Sequence, residues 1–432
     1  MLLRTIFLFC LLLVSVYQDF PLVNYFGEIA RSPIVFLTPL FLIYILKNKK
    51  IEISFYTKYF IFYILYLILV TIVHVLWIVI FKQEVYFLGE NIILKSIKMS
   101  LYPVIILIYY QFVFMFLNKD ETRFEILFRA MSGMLLLLVI YLVFEMYFLK
   151  KEDIFAAFIH SDSEKYWRVR LLTMEESWVG SVLTIVSFVT IYLSNYLKKS
   201  IKIKFLIYSL ASFFTLFYSV QSESKGYLLI FIISTLPLVI KYFYNNKKTR
   251  KFLFFFGFFL IMFGVYVFSI LYSNVSSKLY SSVTFGTRFS SYLGALNTFV
   301  SHPLGVGWGP YLTYYPEYLK NVLESSIMSK FELGEVKKYL ITSKNLSTKT
   351  YLFDNLIFGG IPFLLFYYLF FVRRYFFLSK IKDKNLSFIK IPLLYIILSS
   401  LLYVTFSVKF EIWFFLAFID VLRTKFNKNI YG

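Results

Sequence analysis

Apolar residues along this chain gather in long blocks, and short clusters of Lys, Arg, Asn and Ser separate them. Twelve such blocks lie near residues 3–17, 32–46, 59–81, 100–117, 130–149, 178–197, 203–220, 226–243, 251–271, 351–372, 389–408 and 410–422. Most approach the roughly 20 residues that carry an α-helix across about 30 Å of hydrocarbon. Backbone in lipid must satisfy its own N–H and C=O groups, so blocks of this length predict helices. The pattern predicts an all-α integral membrane protein of about twelve transmembrane helices, forming a single polytopic domain over residues 1–432. Met1 to Val16 has the charged start and apolar stretch of a signal peptide, but no small-residue cleavage site follows, so it is expected to persist as the first helix.

Composition excludes the main alternatives. The 432 residues are 59% apolar or aromatic and 16% charged, with a mean hydropathy of +0.73. Soluble domains are about 45–50% apolar and about 25% charged. A water-soluble fold has no means of hiding this much apolar surface, and disorder fails on the same ground. The single cysteine, Cys10, rules out an intrachain disulfide, so loops must be held by packing.

The formal net charge of +21 would suggest a nucleic-acid partner on a soluble protein. Here the excess of basic over acidic residues falls on alternate connections: Lys47 to Lys58, Lys119 to Arg129, Lys198 to Lys204, Lys241 to Lys251, Arg373 to Lys390 and Arg423 to Lys428. Almost the whole net charge therefore lies on one face of the bilayer. That is the positive-inside pattern, which places both termini in the cytosol and removes the need for nucleic acid. Two connections on the opposite, exterior face are long, residues 150–177 and 272–350, and chemistry is expected there.

The longer loop carries Thr284-Phe-Gly-Thr-Arg-Phe-Ser-Ser-Tyr-Leu-Gly-Ala-Leu-Asn-Thr-Phe-Val300. Phe289, Leu293, Leu296 and Val300 recur at helical spacing, which predicts an amphipathic helix capped by Thr284 or Thr287, with Arg288 in its first turn. His302-Pro-Leu-Gly-Val-Gly-Trp-Gly-Pro310 follows, and Gly305, Gly307 and Gly309 between two prolines predict a shaped turn or a close backbone approach. A second helical stretch is predicted from Pro316 to Leu340. Together these would form a helical exterior cap.

With Arg288 ahead of "HPLGVGWG" and a late block beginning "TYLFDNLIFGGIPFLLFYYL", the sequence resembles the O-antigen polymerase and ligase family (Wzy-like oligosaccharide repeat unit polymerases). "RVRLLTMEESWVGSVL" from Arg168 is similar to the family's basic-then-Glu-Ser element, and "SVQSESKGYLL" from Ser219 to its Ser-Arg-Gly hairpin, with Lys225 in the place of Arg. The resemblance spans about residues 165–420 in order and spacing. It implies polymerisation of undecaprenyl-pyrophosphate-linked glycan repeat units at the outer face of the bacterial cytoplasmic membrane, for capsule, O-antigen or exopolysaccharide, without metal or cofactor. It also implies a flippase and a chain-length regulator as partners. The alternatives are an O-antigen-ligase-type glycan transferase and a lipid-linked oligosaccharide flippase or other transporter.

Such a reaction needs fixed cations for the pyrophosphate leaving group and an acceptor for the proton of the incoming hydroxyl. Arg170, Arg288, Lys225 and Arg168 are the candidates for the first task, since guanidinium forks match phosphate oxygens. Glu176, or its neighbour Glu175, and His302 are the candidates for the second. The family's ligase branch has a His-Asn pair before the late block, where this chain has Thr348 and Lys349. The plainer readings are headgroup anchors for the cations, a helix-start role for Glu175 and Glu176, and a structural role for His302. His74, Glu145, Asp354 and Glu411 are the ionisable groups inside or at the ends of blocks, and therefore functional candidates. Tyr311, Tyr314 and Tyr315 could stack on sugar rings or simply pack. Asp162 and Glu164 are the nearest approach to a metal-binding pair.

Overall fold

In the computed structural model of the chain, the most deeply packed helix is built from small residues. Val179–Tyr196 carries Gly180, Ser181, Thr184, Ser187, Thr190 and Ser194 at three- and four-residue spacing, all buried. Small side chains let helices approach closely in lipid, where apolar bulk alone gives helices no reason to associate. The hydroxyls of Ser181, Thr184, Thr190 and Ser194 return to carbonyls three or four residues back, at 2.6–3.0 Å. A Cβ at Gly180 would collide with the Tyr395 hydroxyl and the Tyr227 ring.

The structure describes residues 1–48, 51–120, 122–149, 159–161, 169–222, 224–245, 280–343, 346–402 and 406–431. Its longer helices are α1 (Leu2–Val16), α2 (Ile34–Lys47), α3 (Thr57–Trp77), α4 (Ile92–Asn118), α5 (Thr122–Tyr147), α6 (Val179–Tyr196), α7 (Ile201–Gln221) and α8 (Lys225–Asn245). After these come α9 (Val283–Ser301), α10 (Tyr311–Leu323), α11 (Gly334–Tyr339), α12 (Tyr351–Tyr367), α13 (Arg373–Lys380), α14 (Ser387–Leu402) and α15 (Phe410–Tyr431). Among the described residues the protein is all-helical apart from one hairpin of β1 (Tyr86–Phe87) and β2 (Glu90–Asn91). Among the described residues, seven helices are long and apolar enough to cross a membrane: Thr57–Lys82, Ile92–Asn118, Thr122–Tyr147, Glu176–Tyr196, Ile201–Gln221, Tyr351–Lys380 and Lys384–Leu402. Leu2–Val16, Ile34–Lys47 and Gly226–Pro237 are apolar but shorter. The apolar block at 251–271 lies outside the described residues.

The chain divides into two compact units, one of residues 1–62, 101–234 and 367–432, the other of residues 63–100 and 235–366. In the first, α6 touches α5, α7, α14 and α15, and α1 packs on α5 and α15. The apolar stretch of α6 is 89% buried against 22% for α7, so α6 is central and α7 offers Phe205, Leu216 and Val220 outward, as lipid requires. A buried ion pair ties the start of α13 to the middle of α15. Arg374 Nε lies 3.0 Å from Asp420, its Nη2 bonds Tyr110 at 2.6 Å, and its guanidinium sits 3.9 Å from the Tyr56 ring centre and 4.0 Å from that of Phe370. Ser54 gives Asp420 a further bond at 2.5 Å.

In the second unit, α9 packs on α10 and α11. Its details differ from the sequence pattern. Ser282, not Thr284 or Thr287, caps the helix, accepting from the Phe285 amide at 3.3 Å. The buried face is Gly286, Thr287, Ser290, Ser291, Gly294, Ala295 and Thr298, while Leu296 is 39% and Val300 76% exposed. Leu296 and Val300 thus point away from the packing face, while Phe289 and Leu293 are half-buried and the close helix approach is made by the small residues. A Cβ at Gly294 would already press Leu319 and Tyr315 at 3.2 Å. The stretch expected from Pro316 to Leu340 is two helices, α10 and α11, broken by a turn at Met328–Lys330.

Candidate functional site

In the first unit, polar residues from two connections, between α1 and α2 and between α5 and α6, converge on Asp19. Asp19 follows α1, is buried, and accepts from His160 Nδ1 at 2.9 Å. Ser161 Oγ donates to its other oxygen. Arg31 Nη1 lies 3.6 Å and Arg170 Nη2 3.7 Å from the same carboxylate. Arg31 reaches outward as well, forking onto Glu28 with two bonds of 2.7 Å. Arg170 is buried, and its Nη1 donates to the Met174 carbonyl at 3.2 Å. Its backbone is fixed by Glu145 from the last turn of α5, whose carboxylate accepts the amides of Arg170 at 2.9 Å and Leu171 at 2.8 Å. Two backbone donors explain why a carboxylate is tolerated there.

A carboxylate only accepts, so the Nδ1 of His160 carries the hydrogen and Nε2 is left with the lone pair. Burial pushes the His160 imidazole below its ordinary value, against the pull of Asp19, and the Arg170 charge adds to the lowering. His160 is therefore neutral near pH 7.

A second buried cluster in this unit surrounds Lys409, ahead of α15. Its ammonium lies 3.2 Å from the Trp178 carbonyl, 3.3 Å from Ser181 Oγ, 3.4 Å from Gln18 and 4.0 Å from Glu411. Glu411 accepts from Gln18 and Ser181, both at 2.7 Å. Burial draws the lysine below its usual range, while Glu411 opposes the shift. Glu176 opens the helical turn Glu176–Trp178 that leads into α6, where its carbonyl accepts from the Tyr218 hydroxyl. No side-chain cap bond comes from Glu175 at that helix start.

In the second unit the glycine segment meets a broken helix. Gly360 has φ 55° and ψ −139° inside α12, and Pro362 has no N–H to give the Phe358 carbonyl. The helix carbonyls freed there are taken by the glycine segment. Val306 donates to Ile357 and Gly307 to Phe358, both at 2.9 Å, and Ile361 returns to Pro303 at 2.8 Å. The Trp308 amide bonds Thr71 Oγ1 at 2.9 Å. Gly305 and Gly307 both have φ 78°, and Gly309 has φ 36°. A Cβ on them would strike the Phe358 carbonyl, the Thr71 backbone and Ser96 respectively.

His302 follows α9 with its ring 4.6 Å from Tyr314, 6.0 Å from Tyr318 and 6.1 Å from His74, and His74 Nδ1 lies 3.2 Å from the Tyr314 hydroxyl. Burial pushes the His302 imidazole down, with Glu317 opposing. Arg288 stands near the start of α9, close enough for its charge to act on Tyr292 and Tyr339. The 14 residues from Arg288 to His302 amount to roughly 21 Å along a helix at about 1.5 Å per residue, so the two do not share a site. Thr348 supplies its amide at 2.7 Å and its hydroxyl at 2.8 Å to Asp354, a capping turn at the start of α12. Tyr311 and Tyr315 are buried in packing, whereas Tyr314 is half-buried between the two histidines.

Of the residues singled out in the sequence, Arg170 and Glu176 thus belong to the first unit, and Arg288, His302, Gly305, Gly307 and Gly309 to the second. Arg168, Asp162, Glu164 and the side chain of Lys225 lie outside the described residues. Asp19, Arg31, His160 and Lys409 were not anticipated. The visible signal was three charged residues, Asp19, Glu28 and Arg31, in one short connection between apolar blocks. Set against known proteins, the chain matches no family model, no curated protein and no solved structure.

Proposed function

We propose that this protein is a polysaccharide polymerase of the O-antigen polymerase type, acting at the outer face of a bacterial cytoplasmic membrane. The acceptor sugar hydroxyl attacks the anomeric carbon of a glycan held on undecaprenyl pyrophosphate. The bond from that carbon to the pyrophosphate oxygen breaks, its electron pair leaves with undecaprenyl pyrophosphate, and the hydroxyl proton passes to a base. In the first unit Arg170, with Lys225 and Arg168, is assigned to the leaving group, where negative charge grows in the transition state; Arg288, in the second unit, is a separate candidate for the same task. A buried guanidinium interacts with that charge more strongly than one in water.

The observation that carries this reading is the pairing of two family-like elements some fifty residues apart. "HPLGVGWG" and "LIFGGIP" are hydrogen-bonded to each other through Val306, Gly307 and Ile361. Their glycines are needed at this contact, which accounts for both elements being present together. Arg170, in the third family-like element, is buried and held from two sides.

A deletion strain complemented with wild type or Arg288→Ala tests the reading by the length of surface glycan on gels. Wild type is expected to restore a ladder and Arg288→Ala to leave single repeat units at equal membrane abundance. Polymer completed on the lipid carrier but not passed on would mark a ligase. Loss of repeat units from the outer leaflet would mark a flippase.

A further inference from the structure

We infer that Asp19 and His160 form a catalytic dyad, with His160 Nε2 as the base that takes the proton from the acceptor sugar hydroxyl. This inference rests on the polymerase reading. It supplies the base from a pair of residues that the sequence pattern did not single out.

Three observations carry it. First, the dyad is oriented: Asp19 accepts from Nδ1 at 2.9 Å, which fixes the tautomer and aims the Nε2 lone pair away from the carboxylate. Second, Nε2 is buried and takes no hydrogen bond. An unmet buried polar atom is costly, so a purely structural histidine would be expected to use it. Nη1 of Arg31 and the Tyr141 hydroxyl are likewise buried without a hydrogen bond, and both belong to groups that act electrostatically on Asp19 or pair with it. Third, Arg170 lies 3.7 Å from the same carboxylate, so base and leaving-group cation stand side by side within one unit.

The surroundings suit a base that must ignore water. A lipid-linked pyrophosphate donor is wasted if a water molecule attacks it, and an enclosed Nε2 favours a positioned sugar hydroxyl over bulk solvent. Arg31 links the cluster to the surface, since it joins buried Asp19 to Glu28, whose side chain is 70% exposed. Among the described residues, Asp19 and Arg170 act on His160 directly, Arg31 and Tyr141 act on the same Asp19 carboxylate, Glu145 holds the Arg170 backbone, and Tyr17 bonds the neighbouring Ile159 carbonyl. In the reaction the hydroxyl oxygen bonds the anomeric carbon, the pyrophosphate leaves with its electron pair, and the proton ends on Nε2.

The test uses full-length purified protein in lipid nanodiscs and the undecaprenyl-pyrophosphate-linked repeat unit isolated from the same cells. His160→Gln retains a donor for Asp19 but has no basic nitrogen, and His160→Ala leaves space for a small molecule. The expected result is a loss of kcat of about 10²–10⁴-fold in both. KM for the lipid-linked unit and the melting temperature of His160→Gln should stay near wild type, and added imidazole should restore turnover to His160→Ala in proportion to its free base. If His160→Gln turns over like wild type while wild type makes polymer, the dyad proposal fails alone. Recovery of activity in His160→Gln but not in His160→Ala, with no effect of imidazole, would show that the histidine only pins its neighbours, and overturns it too. If wild type itself makes no polymer under these conditions, the polymerase reading falls and the dyad with it.

Discussion

The two compact units hold polar groups by different means. In the first, side chains satisfy side chains: Arg374 with Asp420 and Tyr110, Lys409 with Gln18 and Ser181, Asp19 with His160 and Arg170. In the second, backbone satisfies backbone, and glycine segment 305–309 occupies the carbonyls that the Gly360 break sets free. Its ion pairs that involve described residues lie nearer the surface, such as Lys95 with Glu90 and Lys320 with Glu324. Low dielectric explains the contrast. A buried charge is tolerable only when its partners are complete, whereas a broken helix needs only another amide within reach. The first arrangement should fail through charge and the second through shape.

The largest effect that would break this comparison is in the first unit. Arg374→Met leaves Asp420 buried without its cation and should cost about 3–5 kcal/mol of stability. The double change Arg374→Met with Asp420→Leu removes both charges and should recover most of that loss. Unfolding in graded denaturing detergent measures both. A harmless single change would mean that the pair does not hold the start of α13 against α15.

Next in size is a pair of glycines in the second unit. Gly307 and Gly89 share φ 78°, yet a Cβ at Gly307 would strike the Thr71 backbone and one at Gly89 would meet nothing within 4 Å. Gly89→Ala should cost about 1–2 kcal/mol, the price of a left-handed L residue. Gly307→Ala should exceed it, at about 3 kcal/mol or more, and should abolish the ladder in the complementation assay. Equal effects would show that backbone conformation alone, without close approach, demands glycine in the 305–309 segment.

These cases also show what the sequence could reveal. Apolar blocks announced the helices because lipid imposes a local rule on every residue, and each block within the described residues coincides with a helix. Small residues at three- and four-residue spacing mark the packing face of α6, whereas in α9 the apolar spacing from Phe289 to Val300 does not, and Gly294 and Ala295 do the packing. The Asp19–His160 pair was hidden because its partners are 141 residues apart and neither sits in a periodic pattern. The same separation hides the contact of Pro303 with Ile361, although each motif stands out in the sequence by itself. Local chemistry can be read along the chain; convergence cannot.

A smaller effect sharpens the comparison within the second unit, where His74 and Tyr314 form one of its side-chain contacts, at 3.2 Å. Tyr314→Phe should cost about 0.5–1.5 kcal/mol, the net worth of one hydrogen bond. Because the Tyr314 hydroxyl is half-buried, water can replace part of the loss, so the lower end is expected. Glycan length should be unchanged unless the ring stacks on sugar, and Tyr314→Ala separates the two by removing the ring itself.

The smallest effect is a pH dependence of stability that belongs to the first unit. Burial holds the His160 imidazole below its ordinary value, so the folded protein keeps it neutral where the unfolded chain already takes up a proton. Below about pH 6.5, the ordinary histidine value, the unfolded state binds more protons and gains on the folded state. The contribution of His160 is therefore fully present above that pH and is lost as pH falls toward the lowered folded value. His160→Gln cannot titrate, and its stability should be flatter than that of wild type between pH 7 and 5. In the second unit, His302 is lowered for the same reason but is only half-buried, so His302→Gln should flatten the curve less. If His302→Gln flattens it more, the proton-sensitive element lies in the glycine-segment unit, and buried side-chain clusters are not what makes the first unit sensitive to charge.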